Sequence, residues 1–477
     1  MFFLTQKIFS CKILFKSCFG KELFMEKFFE LKERGTNVRT EIVAGITTFI
    51  TMSYILAVNP LILGAAGMDA GAIFTATALA SAFATFLMAF LANMPFVLSA
   101  GMGLNAYFAY TVVIGMGYTW QQALAAIFVE GLIFILLSLV NIREAIFNSI
   151  PPSLKIAVSV GIGLFISFIG LQNAHIVVEG PTLVTLYSFK HSVEGGMFQS
   201  EGITVLLALI GLLITAFLLI KDFKGSVLFG IIATWGLGMI CQAVGLYVPN
   251  PEKGFFSLFP NGIISMPASL EPTFMQVDFS SVLSFEFFSI LMAFLFVDLF
   301  DTIGTVIGCA TKANLLDENG KLPKVKQVLL TDAIGTTAGS LLGTSTITTF
   351  VESSAGIAEG GKTGLTALTA GALFLLALFF SPIFLAIPAF ATAPALIIVG
   401  FLMMQQVSKI NWTSDVLTAV PAYITIFSMA FMYSISEGIC FGVISYTLLH
   451  AFSGKGKDVT PLMYILTVLF ILKYALL

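Results

Sequence analysis

The sequence specifies an all-α polytopic membrane protein of fourteen transmembrane spans in a 7+7 inverted repeat, and three observations lead there. First, of 477 residues 58% are hydrophobic and 10% charged, with a mean hydropathy of +0.99. A soluble domain is about 25% charged, so this chain belongs in lipid and leaves no soluble domain of useful size. Second, apolar runs of about 20 residues recur along nearly the whole chain, each long enough to cross a ~30 Å hydrocarbon core as a helix. Third, spans 3 and 10 are broken by short extended segments. Corresponding breaks in two halves point to inverted repeats, with a binding site where the broken helices meet at mid-membrane.

Taken in order, a basic, polar lead at residues 25–41 precedes span one at 42–63, and span two covers 70–92. Pro95 to Ser99 is then extended in character. Gly101-Met102-Gly103 permits an irregular backbone before a half-length helix at 105–116, which makes span three a broken one. Spans four and five cover 122–140 and 154–171; a polar stretch, 172–200, precedes span six at 203–220 and span seven at 227–246. A Pro-containing loop, 249–281, closes the first half. Span eight covers 287–309 and span nine 328–342. The second break follows at 344–351, rich in β-branched residues, then a half-helix at 352–358 ending at Gly360-Gly361. Spans eleven to fourteen cover 365–384, 393–404, 417–433 and 438–452. The apolar tail, 462–477, reads as an interfacial helix or as part of the final bundle.

The cations support this count. With the N terminus inside, Arg143, Lys155, Lys221, Lys224, Lys312, Lys321, Lys324, Lys326, Lys362, Lys409, Lys455 and Lys457 fall in the cytoplasm, and Lys190 and Lys253 outside. Both termini are expected there, in a multi-pass protein of the cell (inner) membrane. Met25 opens a plausible start, so residues 1–24 read as an N-terminal extension without transport function. Five cysteines show no metal or redox spacing and read as small apolar residues.

The working centre is placed in span eight, where Asp298 and Asp301 lie deep in a segment of Phe, Leu, Ile and Val. Spaced by three, they share a helix face. An acid at a helix centre costs roughly 2.5 to 3.5 kcal/mol on insertion scales, which makes it a functional-site hypothesis; a cap on a neighbouring helix is the other reading of Asp301. Glu352 opens the half-helix after the second break. Free N–H groups at a helix start favour its charge, while burial opposes it, a balance suited to a group that gains and loses a proton. It also suits an acid that only steadies the broken helix. Asn105 is its counterpart near the first break, with an amide that donates and accepts. Glu130, Glu286, Asp332 and Glu437 are explained by helix ends and inter-helix hydrogen bonds. Thr51, Ser53, Tyr54 and Asn59 make part of span one polar, as a pathway lining or as packing.

Three motifs are decoys. Gly356 to Thr363 satisfies the phosphate-binding pattern GxxxxGK[ST], but that motif needs a strand–loop–helix in a soluble α/β unit, and here it sits between membrane segments. Asp317-Glu318-Asn319-Gly320 lacks the remaining ligands of a calcium loop and reads as a turn. The sequon at Asn411 falls on the expected cytoplasmic side. No enzyme motif remains.

Four stretches carry a resemblance: RTEIVAGITTFITMSYILAVNP from Arg39, SAGMGLNAYFAY from Ser99, VDLFDTIGT from Val297 and ESSAGIAEGGKTGL from Glu352. They resemble the nucleobase–cation symporter family of xanthine/uracil permeases, and more narrowly its adenine/guanine/hypoxanthine branch. The resemblance implies a core domain from residues 42–140 and 283–386 and a gate domain from 151–248 and 387–455, leaving a tail at 456–477. It implies proton-coupled purine uptake, with Asp298 and Glu352 holding the base and Asp301 and Asn105 at further implicated positions. Protons would be the coupling ion, carried by Glu352, Asp298 or Asp301, with no cofactor, no metal and no nucleic-acid partner. It also implies a homodimer. A flat neutral base needs carboxylates for its N–H edge and aromatic faces for stacking, for which Phe96, Tyr107 and Phe350 are candidates.

Overall fold

The computed structural model describes residues 26–140, 150–180, 183–250, 254–282, 284–315 and 322–476. The readings placed on residues 1–24, Arg143, Lys253 and 317–321 lie outside these. Among the described residues, ten helices are long and apolar enough to cross a membrane, from Val38–Gly64 to Ile435–Phe452, and three shorter apolar ones are Met102–Gly115, Val416–Phe431 and Pro461–Ala475. Large apolar side chains such as Leu136, Leu213 and Phe217 point outward and stay exposed, as a lipid-facing surface requires. The helix Val325–Leu342, read as span nine, is more polar and packs inside.

The two breaks are strands, and they pair with each other. β1 (Leu98–Ala100) lies antiparallel to β4 (Ile347–Thr349), with Ser99 opposite Thr348; β2 (Val177–Gly180) and β3 (Leu183–Leu186) form a separate hairpin between crossings five and six. Interrupted helices leave backbone groups unpaired at membrane depth, where no water can satisfy them. Pairing the breaks removes that cost, and bonds from Gly101 N to Thr346 O (3.0 Å) and Phe350 N to Val97 O (3.0 Å) extend the ladder. The flanking crossings finish the job symmetrically. Thr85 of the second crossing bonds both the N–H and the carbonyl of Leu98, at 3.1 and 3.2 Å. Thr336 does the same for Ile347, at 3.2 and 3.0 Å. Each threonine serves the first residue of a strand, one in each half, which is the inverted repeat expressed in side-chain bonds.

The first crossing is itself interrupted. Its helix stops at Met52 and restarts at Ile55, with Ser53 and Tyr54 in a turn between. It still forms one span, Val38–Gly64, as the sequence suggested, because Ser53 and Tyr54 keep right-handed helical φ and ψ. Pro60, inside the second piece, lacks an N–H and weakens the helix where it restarts. The half-helix Ser353–Ala358 packs tightly on this crossing: a Cβ added at Gly356 would lie 2.4 Å from the Ala44 carbonyl oxygen.

The N-terminal lead is an anchor rather than a solvated leader. Glu41 is fully buried, and its carboxylate accepts from the backbone N–H groups of Lys362 (2.9 Å), Thr363 (3.2 Å) and Thr366 (3.3 Å) and from the Thr366 hydroxyl (2.6 Å). Arg34 donates to the carbonyls of Asn93 and Lys362, and Asn93 accepts from Gly364 N at 2.8 Å. The phosphate-like loop therefore does cradle an anion, but the anion is the chain's own glutamate.

The tail is resolved into a helix, Pro461–Leu476, that retraces Ile435–Phe452 in the opposite direction. Lys473, near its end, bonds Glu437 at the start of the partner helix (2.5 Å), and Tyr474 stacks on Phe441 with ring centroids 5.5 Å apart. It packs along the last crossing as part of the final bundle.

Candidate functional site

A cavity of about 560 Å³ opens between the paired breaks and the crossings that pack against them. That is within the range of small-molecule sites, about 300–1,000 Å³. Its inner wall carries Tyr54, Asp301, Thr348, Phe350 and Glu352; its mouth carries Lys224, Lys312 and Gln406. The mouth opens on the same face as the N-terminal lead, because Lys224 pairs with Glu359, which closely follows the half-helix bearing Glu352.

Each expected side chain can now be placed. Asp301, Glu352 and Phe350 line one cavity, while Asp298, Asn105 and Phe96 are fully buried beside it and do not line it. Asp298, expected to hold the base, is turned toward the ninth crossing. Thr302 Oγ1 sits 2.9 Å from Asp298 Oδ1 and 2.9 Å from Asp332 Oδ1, and both acids are fully buried. Asp301, one turn along, accepts from the Thr348 hydroxyl at 3.4 Å. Asn105 accepts from the Ser345 hydroxyl and donates to Ala100 O at 3.4 Å, so it fastens crossing three to the second break. Ser353, next to Glu352, takes the N–H of Val97 at 3.0 Å.

Of the residues ranked lower in the sequence, Tyr54 lines the cavity, while Asp332 and Glu130 are buried and do not line it. Tyr54 donates its hydroxyl to Glu352 Oε1 at 2.6 Å. Asp332 joins Asp298 through Thr302. Glu130 accepts from Thr346 at 2.9 Å, between β4 and crossing four. The signal for Thr302 was available, four residues after Asp298 on one helix face; that for Asp332 was not, because it needs the packing of two helices.

Chemically, the arrangement offers two carboxyl groups to one cavity beside an aromatic face, and keeps two more acids behind its wall. Carboxylates accept N–H donors, so the cavity favours a ligand with a polar N–H edge over an anion. No metal-binding group of three or more His, Cys, Asp or Glu is present among the described residues.

Residues 39–440 match the sequence model described as the permease family. Similar proteins include adenine permease AdeP of Escherichia coli, 41% identical over 94% of this chain and 95% of that one. Guanine/hypoxanthine permease PbuG of Bacillus subtilis is 43% identical, over 94% and 99%. Among solved structures, the transmembrane domain of a cyanobacterium bicarbonate transporter, BicA, superposes with a TM-score of 0.61 at 15% identity, covering 84% of this chain and 96% of that one. That likeness concerns the fold.

Proposed function

This chain belongs to the permease family, and from that premise and the geometry of the cavity we propose that it imports purine nucleobases in symport with protons. The observation that carries the reading is the meeting of Asp301, Glu352 and Phe350 at one cavity beside the paired breaks. Adenine, guanine and hypoxanthine are flat and present N–H donors beside ring-nitrogen acceptors. Asp301 and Glu352 accept the donors, and Phe350 stacks on the ring. The adenine and guanine/hypoxanthine permeases that the chain resembles over nearly its full length support the same substrate class.

Proton coupling draws support from a count of hydrogens. Thr302 has one hydroxyl hydrogen and two carboxyl oxygens at 2.9 Å. Donation to one of them leaves the other facing the threonine oxygen, an arrangement that a proton shared between the two carboxyls satisfies. Asp298 and Asp332 thus store a proton behind the wall that Asp301 faces. In this reading Asp298 acts on coupling, and Asp301 takes the contact with the base that the sequence assigned to Asp298.

The basic residues that share a face with the cavity mouth (Lys224, Lys312, Lys326 and Lys362 among them) make that face cytoplasmic. The conformation is then inward-open. We further propose that the helix Pro461–Leu476 carries the chain back across to the outer face, in place of the cytoplasmic C terminus expected from the sequence. Assembly as a homodimer rests on the family resemblance.

The test is uptake of radiolabelled hypoxanthine into vesicles reconstituted with the protein. Accumulation above equilibrium under an imposed pH gradient is expected. Equilibration alone would indicate a passive pathway. An anion carrier of the same fold would take up bicarbonate and leave the purine outside.

A further inference from the structure

Tyr54 does not belong to either broken span, yet it reaches a site carboxylate. It stands in the turn that interrupts the first crossing, with its ring 1% exposed and its hydroxyl donating to Glu352 Oε1 at 2.6 Å. Ring and carboxyl both line the cavity. Ser53 and Tyr54 keep right-handed helical φ and ψ, so the first crossing itself holds the phenol toward Glu352.

We propose that Tyr54 is a positioning residue for transport, rests on the purine-symport reading above, and works only through Glu352. A carboxyl group has two oxygens. The phenol occupies Oε1, so Oε2 is the atom left to meet a ligand. When Glu352 is charged, Oε2 accepts a base N–H. When Glu352 is protonated, the hydrogen sits on Oε2, because Oε1 is already accepting, and the same atom then donates to a ring nitrogen. Tyr54 thereby puts Glu352's own proton and its substrate contact on one atom. Without the hydroxyl, either oxygen can carry either role and the carboxyl can turn away from the cavity.

Tyr54→Phe keeps the buried ring and deletes only the hydroxyl. The experiment measures equilibrium binding of radiolabelled hypoxanthine and pH-gradient-driven accumulation, in vesicles holding full-length parent, Tyr54→Phe, Glu352→Gln or the double variant. The expected result is a Kd raised about tenfold or more in Tyr54→Phe, the loss of one hydrogen bond to a charged partner, with a lower accumulation ratio and an unchanged melting temperature. The double variant should bind like Glu352→Gln alone, because a residue that acts through another adds nothing once that other is altered. Parental binding in Tyr54→Phe overturns the assignment, as does a double variant whose defect is the product of the two single ones. A folded parent that neither binds nor concentrates hypoxanthine overturns the purine reading, and this assignment with it.

Discussion

Replacing Glu41 by alanine tests how the two halves of the core are fastened. The carboxylate is fully buried and accepts three backbone N–H groups and one hydroxyl at the start of the eleventh crossing. Removing it strands the N–H of Thr363, a fully buried residue, while Thr366 N–H keeps the Thr363 carbonyl at 3.2 Å and that of the partly exposed Lys362 can turn to water. A buried donor left without a partner costs about 1–3 kcal/mol, which sets the size of the effect. The bonds from Arg34 to Lys362 O and from Gly364 N to Asn93 remain and keep the loop near its place. The expected outcome is a membrane-inserted protein that melts several degrees below the parent in detergent, with Glu41→Gln between the two because its amide oxygen still accepts. Thermal aggregation followed by size-exclusion chromatography measures this directly. An alanine variant that melts with the parent would show that the loop is not held by this carboxylate, and would reopen the anion cradle to a ligand from outside.

Three further outcomes follow from the site. Glu352→Gln should retain some hypoxanthine binding but lose pH-gradient-driven accumulation, whereas Asp301→Asn should fail at binding itself; paired binding and uptake measurements separate them, and undiminished accumulation in Glu352→Gln would move the proton elsewhere. Thr302→Val keeps the shape but deletes the hydroxyl that links two buried acids, contacts worth roughly 1.5–3 kcal/mol each, so accumulation should collapse while binding changes little, and Asp298→Asn should behave the same way; a variant of either kind that loses binding first would return Asp298 to the substrate. A reporter enzyme active only outside the membrane, fused after residue 477, should be active, and one fused after residue 458 should not; the reverse pattern would deny that the last helix crosses.

Much of this architecture was legible in the sequence because the bilayer enforces a coarse grammar. Apolar length sets the crossings, and β-branched or glycine-rich gaps set the breaks. Even the extended character of the segments around Leu98 and Ile347 could be read. Their pairing with one another could not, since it joins residues such as Ser99 and Thr348, 249 positions apart, through packing of both halves. The contact of Tyr54 with Glu352 was also hidden, since it joins side chains on separate elements. Glu41 was read only as the end of a basic, polar lead, and its role as an anchor was missed. The clue was present in the Gly356–Thr363 loop, whose run of backbone N–H groups needs an anion. The reading asked only whether that anion was a phosphate.

The division of labour between Asp298 and Asp301 follows from a geometric limit of helix reading. Residues three apart share a face, but 3 × 100° leaves them 60° out of line around the axis. On a crossing that packs against lipid the difference is trivial. On a crossing whose face is split between a cavity and the ninth helix it decides everything, because 60° turns one acid toward the cavity with Thr348 and the other toward Thr302 and Asp332. Sequence alone cannot say which acid goes where, since the split is set by a neighbouring helix. The same offset has a consequence for transport. On the proposed symport, the acid that contacts the base and the acid that stores a proton are carried on one helix, a single turn apart, so a change in charge at one is felt by the other across a short path of low dielectric. Coupling between substrate and proton on that proposal needs no long-range rearrangement along the eighth crossing.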